Sequence, residues 1–276
     1  MQEKRFTIGV VISTYNNPAY LRKTLWGYCN QSRKPDEIII ADDGSTPETA
    51  KMLKEFAGVL NINHVWQEDK GFRKTMILNK ALLAATAEYL IFTDQDCVPR
   101  EDFVAVHEKF ARPKRFLSGG YFKLPMGISQ SVGKEEIDSG KLFDLKWLLA
   151  SGVKKSFKCT KLFRKKWWST FMNFITPTNA SWNGMNSSTW RKELLEVNGF
   201  DERMAYGGED RELGERLVNN GLRGVQIRYS AITMHLDHSR PYVNSQAWAL
   251  NNSIRKETKK LHRTKAAVGI KPAEIQ

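Results

Sequence analysis

Residues Glu37 to Ala41 read EIIIA, a short unbroken apolar run stopped abruptly by Asp42-Asp43-Gly44-Ser45. A run without alternation suits a strand buried on both faces, as in parallel sheets covered by helices. Its neighbours agree. Phe6 to Ser13 (FTIGVVIS), Leu60 to Trp66 and Glu88 to Thr93 (EYLIFT) are also strand-like, with helical patterns between them. Asn16-Asn17-Pro18 opens the first helix, and Leu21, Leu25, Tyr28 and Cys29 fall on one face of it. Thr46-Pro47 opens a second helix through Leu53 and Phe56, and Phe72 to Thr86 reads as a third. This β-α-β-α-β-α-β order predicts an α/β fold: a mixed, mostly parallel central sheet with helices on both faces. Ligands of such sheets bind at the carboxyl ends of the strands, so the polar residues just after each strand are the candidates.

Beyond Arg112 the pattern is less regular. Gly119-Gly120 starts a strand or loop, residues 127–140 are loop-like, and residues 141–175 form a tryptophan-rich basic stretch. Glu209 to Asn220 reads as a helix, with Leu213 and Leu217 on one face and Gly221 as its stop. Gly224 to Met234 reads as a strand, and Ser253 to Lys265 as a basic helical tail. The expected organisation is one domain over 1–240, divided at 1–111, 112–176 and 177–240, followed by the basic tail at 241–276.

Composition narrows the function classes. A hydrophobic fraction of 41% over 276 residues supplies a core and excludes a disordered chain. No run approaches the roughly 20 apolar residues of a membrane span. Cys29, Cys97 and Cys159 are far apart and odd in number, which argues against a disulfide framework. The first residues, Met1 to Arg5, lack the features of a signal peptide. A cytoplasmic location is therefore expected. The net charge of +13 calls for an anionic partner: nucleic acid, a membrane surface or phosphorylated ligands.

Five short constellations carry chemistry, and each also has a plain structural use. Ser13-Thr14-Tyr15-Asn16 could hold a base beside an aromatic ring, or simply turn the chain into a helix. Asp42-Asp43-Gly44-Ser45 could bond a base N–H or a ribose hydroxyl, or cap the next helix. Asp94-Gln95-Asp96 ends the fourth strand. On an extended chain its two carboxylates would face the same way, a hard donor pair for Mg²⁺ or Mn²⁺ and its diphosphate. A solvated acidic turn is the other reading. Gly207-Gly208-Glu209-Asp210 starts a helix, where the dipole favours an ionised Asp210 that can act as a base, or that merely caps. His235-Leu236-Asp237-His238 offers His235 as a further metal ligand or as a structural histidine. Zinc is not expected, because no second His/Cys cluster has suitable spacing.

Taken in order, these segments resemble the inverting family 2 glycosyltransferases of GT-A fold. VVISTYNNPAYL, EIIIADDGST, the helix with Asn79-Lys80-Ala81-Leu82, and EYLIFTDQD follow the family's first half. Asn183-Gly184-Met185-Asn186 through NGFDERMAYGGEDRELGERL is similar to the acceptor region of chondroitin-polymerase-type and β-galactosyltransferase-type enzymes. The resemblance implies that residues 1–111 bind the nucleotide and 177–240 the acceptor. Ser13 and Tyr15 would line the base pocket, and Asp43 would bond the base, which suggests uracil. Arg73 would lie near the diphosphate, with Lys74 as the other candidate, and Asp94 would contact the ribose. Asp96 and His235 would ligate Mn²⁺ or Mg²⁺. Asn183, Gly184, Asn186 and Gly208 would border the donor sugar. Asp210 would be the catalytic base, with Glu209 beside it touching donor or acceptor. One departure stands out: the family often has arginine just before the helix asparagine, and here that residue is Leu78.

The implied activity is transfer of a sugar from a UDP-sugar to a glycan hydroxyl, with inversion. A nucleotidyltransferase of sugar-nucleotide synthesis is the competing enzyme class, but STYNNP stands where a GxGTRL-type loop would be. A non-catalytic sugar- or nucleic-acid-binding protein explains the charge and not the ordered motifs, so no nucleic acid is expected. Residues 154–166 (KKSFKCTKLFRKK) contain seven cations and no acid, with Trp147 before them and Trp167, Trp168, Phe171 and Phe174 after. Residues 141–175 and 253–265 are therefore expected to meet an anionic membrane surface, placing the enzyme peripherally on a lipid-linked acceptor such as a lipopolysaccharide or capsule precursor. A solvated basic surface over a partly buried aromatic cluster is the alternative.

Overall fold

The computed structural model describes residues 6–239 and 245–270. The first half runs β1 (Ile8–Thr14), α1 (Pro18–Cys29), β2 (Glu37–Asp42), α2 (Pro47–Leu53), β3 (Ile62–Trp66), α3 (Lys74–Ala84), β4 (Tyr89–Asp94) and β5 (Cys97–Pro99). Then come α4 (Phe103–Phe110), β6 (Arg115–Ser118), β7 (Gly120–Lys123), α5 (Met126–Ser131), α6 (Lys134–Asp138), α7 (Leu145–Ala150) and α8 (Lys166–Ile175). The chain continues through β8 (Ser187–Trp190), α9 (Arg191–Glu196), α10 (Glu209–Asn219), β9 (Arg223–Gln226), β10 (Ile232–His235) and α11 (Ser245–Lys260).

Among the described residues, seven strands form one sheet in the order β3-β2-β1-β4-β8-β6-β9. Only β8 runs against its neighbours β4 and β6. Alternate side chains of the central strands enter opposite cores. Val10, Ile12, Ile38 and Ile40 pack with Leu21 and Leu25 of α1. Val11, Ile39 and Ala41 pack with Ile77 and Leu82 of α3 and Leu213 of α10. Two-sided burial is why EIIIA carries no polar alternation.

The later region differs from expectation in three places. Residues 127–140 contain the short helices α5 and α6 rather than open loop. The run 224–234 is two strands in two sheets, β9 beside β6 and β10 between β5 and β7. Residues 227–231 lie between them, with Ile227 and Ala231 buried; the apolar content that resembled one strand comes from this packed turn. The tail helix starts at Ser245 and ends at Lys260, earlier at both ends than the basic residues suggested. A third core lies beneath the small β5-β10-β7 sheet, where Phe122 and Met234 meet Ile128, Leu142, Leu148 and Leu162.

Where β8 meets α4, His107 is fully buried, with Nδ1 on Ser188 Oγ at 2.7 Å and Nε2 on Asn186 Oδ1 at 3.0 Å. Burial depresses its pKa to about 3, so the folded state holds it neutral. Between pH 3 and the ordinary histidine value of about 6.5, the unfolded chain therefore binds the extra proton. Folding stability should fall as pH drops through this window, by about 2 kcal/mol from this group between pH 7 and pH 5. Urea unfolding at both pH values tests it: His107→Gln should lose that part of the slope, and an unchanged slope would contradict the assignment.

Candidate active site

The carboxyl ends of β1, β2 and β4 meet at one edge of the large sheet, and three groups of polar side chains gather there.

The first surrounds Tyr15. Its ring is 47% exposed, and its hydroxyl donates to Asp69 Oδ2 at 2.8 Å. Asp43 lies buried nearby, its Oδ1 accepting from Gln67 Nε2 at 2.6 Å and its Oδ2 from the Arg73 backbone N–H at 2.8 Å. Burial raises the Asp43 carboxyl, while these two donors and the Arg73 charge pull it down. Arg73 itself turns aside. Its guanidinium donates to the Glu68 carbonyl and approaches Met76 Sδ.

The second group joins the two halves of the chain. Asp94 Oδ1 accepts from Ser13 Oγ at 2.5 Å and from Lys74 Nζ at 2.8 Å. Burial alone would lower the Lys74 pKa, but Asp94, Asp210 and Glu209 outweigh it and hold the ammonium well above its usual value. Lys74 is thus the cation among three carboxylates, the place that Arg73 was one candidate to fill. Leu78 is buried against the sheet, 2% exposed, so whatever stands there faces core. Its neighbour Asn79 instead ties α3 to Phe200 and Glu202.

Asp210 and Glu209 begin α10 after Gly207 and Gly208, whose φ values of 110° and 96° suit glycine. Gly184 allows the approach from the other side: a Cβ there would lie 2.7 Å from Asp210 Oδ2. Burial raises the Asp210 carboxyl, while Lys74 lowers it, Asp94 raises it and the Gly184 N–H lowers it. Among the described residues its buried Oδ1 has no hydrogen-bond partner. Glu209, 6% exposed, accepts from the Gly207 N–H at 2.8 Å, and burial with the Asp210 charge raises it to about 7. The turn is held from behind by α11, where Asn251 Nδ2 donates to the carbonyls of Ala205 and Gly207, both at 2.9 Å.

The third group is Asp96, His235 and His238. Asp96 Oδ2 lies 2.8 Å from His238 Nε2 and 3.4 Å from His235 Nε2. One ligand atom from each residue falls within 4.8 Å of the others. Burial would raise Asp96, but the two histidines outweigh it and hold the carboxyl below its usual range. His238 had no role in the sequence reading. Its signal is the H-x-x-H spacing that begins on the last residue of β10, legible only once Asp96 is known to lie opposite.

Two expectations change. Gln95 and Asp96 form a turn, so Asp94 and Asp96 engage separate groups instead of facing one way along an extended chain. Gln95 makes that turn: its Oε1 accepts from Thr14 Oγ1 and the Tyr15 N–H, and its carbonyl accepts from Thr24 Oγ1. Asn186 is fully buried, its Nδ2 donating to the Gly120 and Ala231 carbonyls and its Oδ1 within 3.0 Å of His107 Nε2, so its amide braces the strands. Asn183 is closer to the expectation, since its buried Oδ1 has no partner among the described residues.

The profile described as Glycosyl transferase family 2 matches residues 9–127, and that of the N-terminal domain of galactosyltransferase matches 173–239. Chondroitin synthase of Escherichia coli is 28% identical over 78% of this chain and 32% of its own length. Hyaluronan synthase of Pasteurella multocida is 31% identical over 78% of this chain and 23% of its own length. The chain thus spans less than half of these relatives. Among solved structures, the mannosyltransferase PcManGT from Pyrobaculum calidifontis, in complex with GDP-Man and Mn²⁺, superposes with a TM-score of 0.58 at 18% identity, covering 94% of this chain and 63% of that one. TarS 1–349 of S. aureus, in complex with UDP-GlcNAc, gives 0.57 at 16% identity, covering 86% and 60%. The two profiles fall on the two halves that meet at Lys74: residues 9–127 match the family 2 glycosyltransferases, and the chain has the fold of the GT-A glycosyltransferases.

Proposed function

We propose that this chain moves a sugar from a UDP-sugar to a hydroxyl of a glycan acceptor in one inverting displacement. The observation that carries the reading is Asp210: a carboxylate with one unpartnered oxygen, set beside Lys74 and Asp94 at the start of α10. Asp210 takes the proton of the acceptor hydroxyl as the acceptor oxygen forms its bond to the anomeric carbon. The bond from that carbon to the diphosphate breaks on the opposite face, and UDP leaves. Lys74 supplies positive charge near Asp94, where the nucleotide's anionic groups would lie. Asp43 offers only acceptor oxygens, which suit a ring N–H as in uracil or guanine and not cytosine.

Asp96, His235 and His238 would hold a divalent ion. Two imidazoles and one carboxylate fit Mn²⁺ better than Mg²⁺, which prefers oxygen donors. When bound, such an ion neutralises the diphosphate leaving group. Mn²⁺ accompanies GDP-Man in the Pyrobaculum structure, which supports the choice. The synthases among the relatives support a polysaccharide acceptor. A lipid-linked acceptor, and with it a cytoplasmic, peripheral location, belongs to the same proposal; no described helix is long and apolar enough to cross a membrane.

The test is a panel of UDP-sugars with Mn²⁺ and candidate glycans, read by UDP release and by NMR of the new linkage. An α-linked donor should give a β-linked product. An α-linked product would overturn the single displacement.

A further inference from the structure

We propose that the outward face of α8 docks this enzyme on an anionic lipid surface. Trp167, Phe171 and Phe174 enter the interface, and the lysines around them meet the headgroups.

The inner side of α8 is fixed to the fold. Met172 is buried, and Asn173 Nδ2 donates to Ser230 Oγ at 2.9 Å while its Oδ1 accepts from the Tyr229 N–H at 2.9 Å. Gln226 Nε2 donates to the carbonyls of Asn173 and Thr176. The outer side is open: Trp167 is 65% exposed, Phe171 48% and Phe174 89%. Their spacing of four and then three residues puts them on one helical face. Together with Lys166 and Thr170 they line a single surface patch. A helix held this firmly, with large apolar rings aimed at solvent, marks an interaction surface.

Charge selects the occupant. Of the seven cations at 154–166, only Arg164 has an ion-pair partner, Glu101, among the described residues. A second copy of the chain would bring the same cations against them, whereas anionic headgroups complement them. Trp167 and Trp168 stand at 87°, a poor platform for successive stacked bases, so lipid is favoured over nucleic acid. The tail patch expected at 253–265 is weaker, because Arg255 and Lys259 share Glu215 and Arg263 pairs with Glu257. The basic segment also adjoins the reaction site. Lys161 Nζ donates to the Tyr121 carbonyl at 3.1 Å, and the Tyr121 ring lies 5.9 Å from that of His235. If the proposed glycosyl transfer holds, docking brings that site to lipid-borne acceptors.

Flotation of the full chain with phosphatidylglycerol-containing and pure phosphatidylcholine vesicles, at low and physiological salt, tests the docking. The chain should float with the anionic vesicles, more at low salt. Trp167→Ser/Phe171→Ser/Phe174→Ser and, separately, Lys158→Glu/Lys165→Glu/Lys166→Glu should each lower the bound fraction by roughly tenfold or more. Both variants alter exposed side chains and should keep the parent's melting temperature and nucleotide binding, so failure of docking is read separately from failure of the reaction site. No flotation at low salt would overturn the proposal. So would variants that float like the parent, oligonucleotide binding that displaces the vesicles, or a dimer that the ring substitutions dissolve.

Discussion

Asp210→Asn is expected to lower sugar transfer by roughly 10²–10⁴-fold while nucleotide binding stays near the parent's. Asparagine keeps the size of the side chain and an oxygen for the Gly184 N–H, but it cannot take a proton at neutral pH. Glu209 is a poor substitute, because its Oε2 is engaged by the Gly207 N–H and the residue is buried. The direction of the Asp210 pKa adds a pH signature. Burial raises it, so the base is protonated at a higher pH than a free aspartate would be. Transfer should fall as pH drops, and at a higher pH than ionisation of a free aspartate would set. Steady-state kinetics separate the possibilities: a fall in kcat with unchanged donor binding supports the base. Turnover intact in Asp210→Asn would remove it from that role.

Asp96→Ala should abolish the metal-dependent part of UDP binding. The loss should be at least the roughly 10–100-fold typical of removing a metal's outer-shell partner. The variant leaves His235 and His238 without the carboxylate that lies between them. His238→Ala should show the same defect more weakly, because the Asp96 carboxylate, the one anionic donor of the three, would remain beside His235. Calorimetry with Mn²⁺ checks both. Normal Mn²⁺-dependent binding in Asp96→Ala would contradict the site, and normal binding in His238→Ala would remove that residue from it.

The first half of the chain was legible in the sequence because its order is local. EIIIA shows two-sided burial, and Asn17-Pro18 and Thr46-Pro47 mark helix starts at positions that hold, with Asn17 Oδ1 accepting from the Tyr20 N–H at 3.1 Å. Asp94 and Asp210 were singled out as candidates from their places at the end of a strand and at a helix start, and the structure brings both beside Lys74. What stayed hidden depends on contacts distant in sequence. Lys74 and Asp94 are twenty residues apart, and Lys74 differs from Arg73 only in which way its side chain leaves the start of α3. Asn186 resembled a ligand contact because it stands beside Asn183 and Gly184. Only the meeting of β6, β7 and β8 shows its amide engaged by backbone carbonyls. The break between β9 and β10 was invisible for a related reason: the turn between them is itself packed in the core.

The most direct measurement is calorimetric binding of UDP, GDP and CMP, each with Mn²⁺ and with EDTA. The account predicts that UDP binds with Mn²⁺, that EDTA removes this binding, and that CMP does not bind. GDP binding in place of UDP would move the donor to a guanine nucleotide while keeping the site. If no nucleotide bound under either condition, the donor site at the end of β4 would be contradicted.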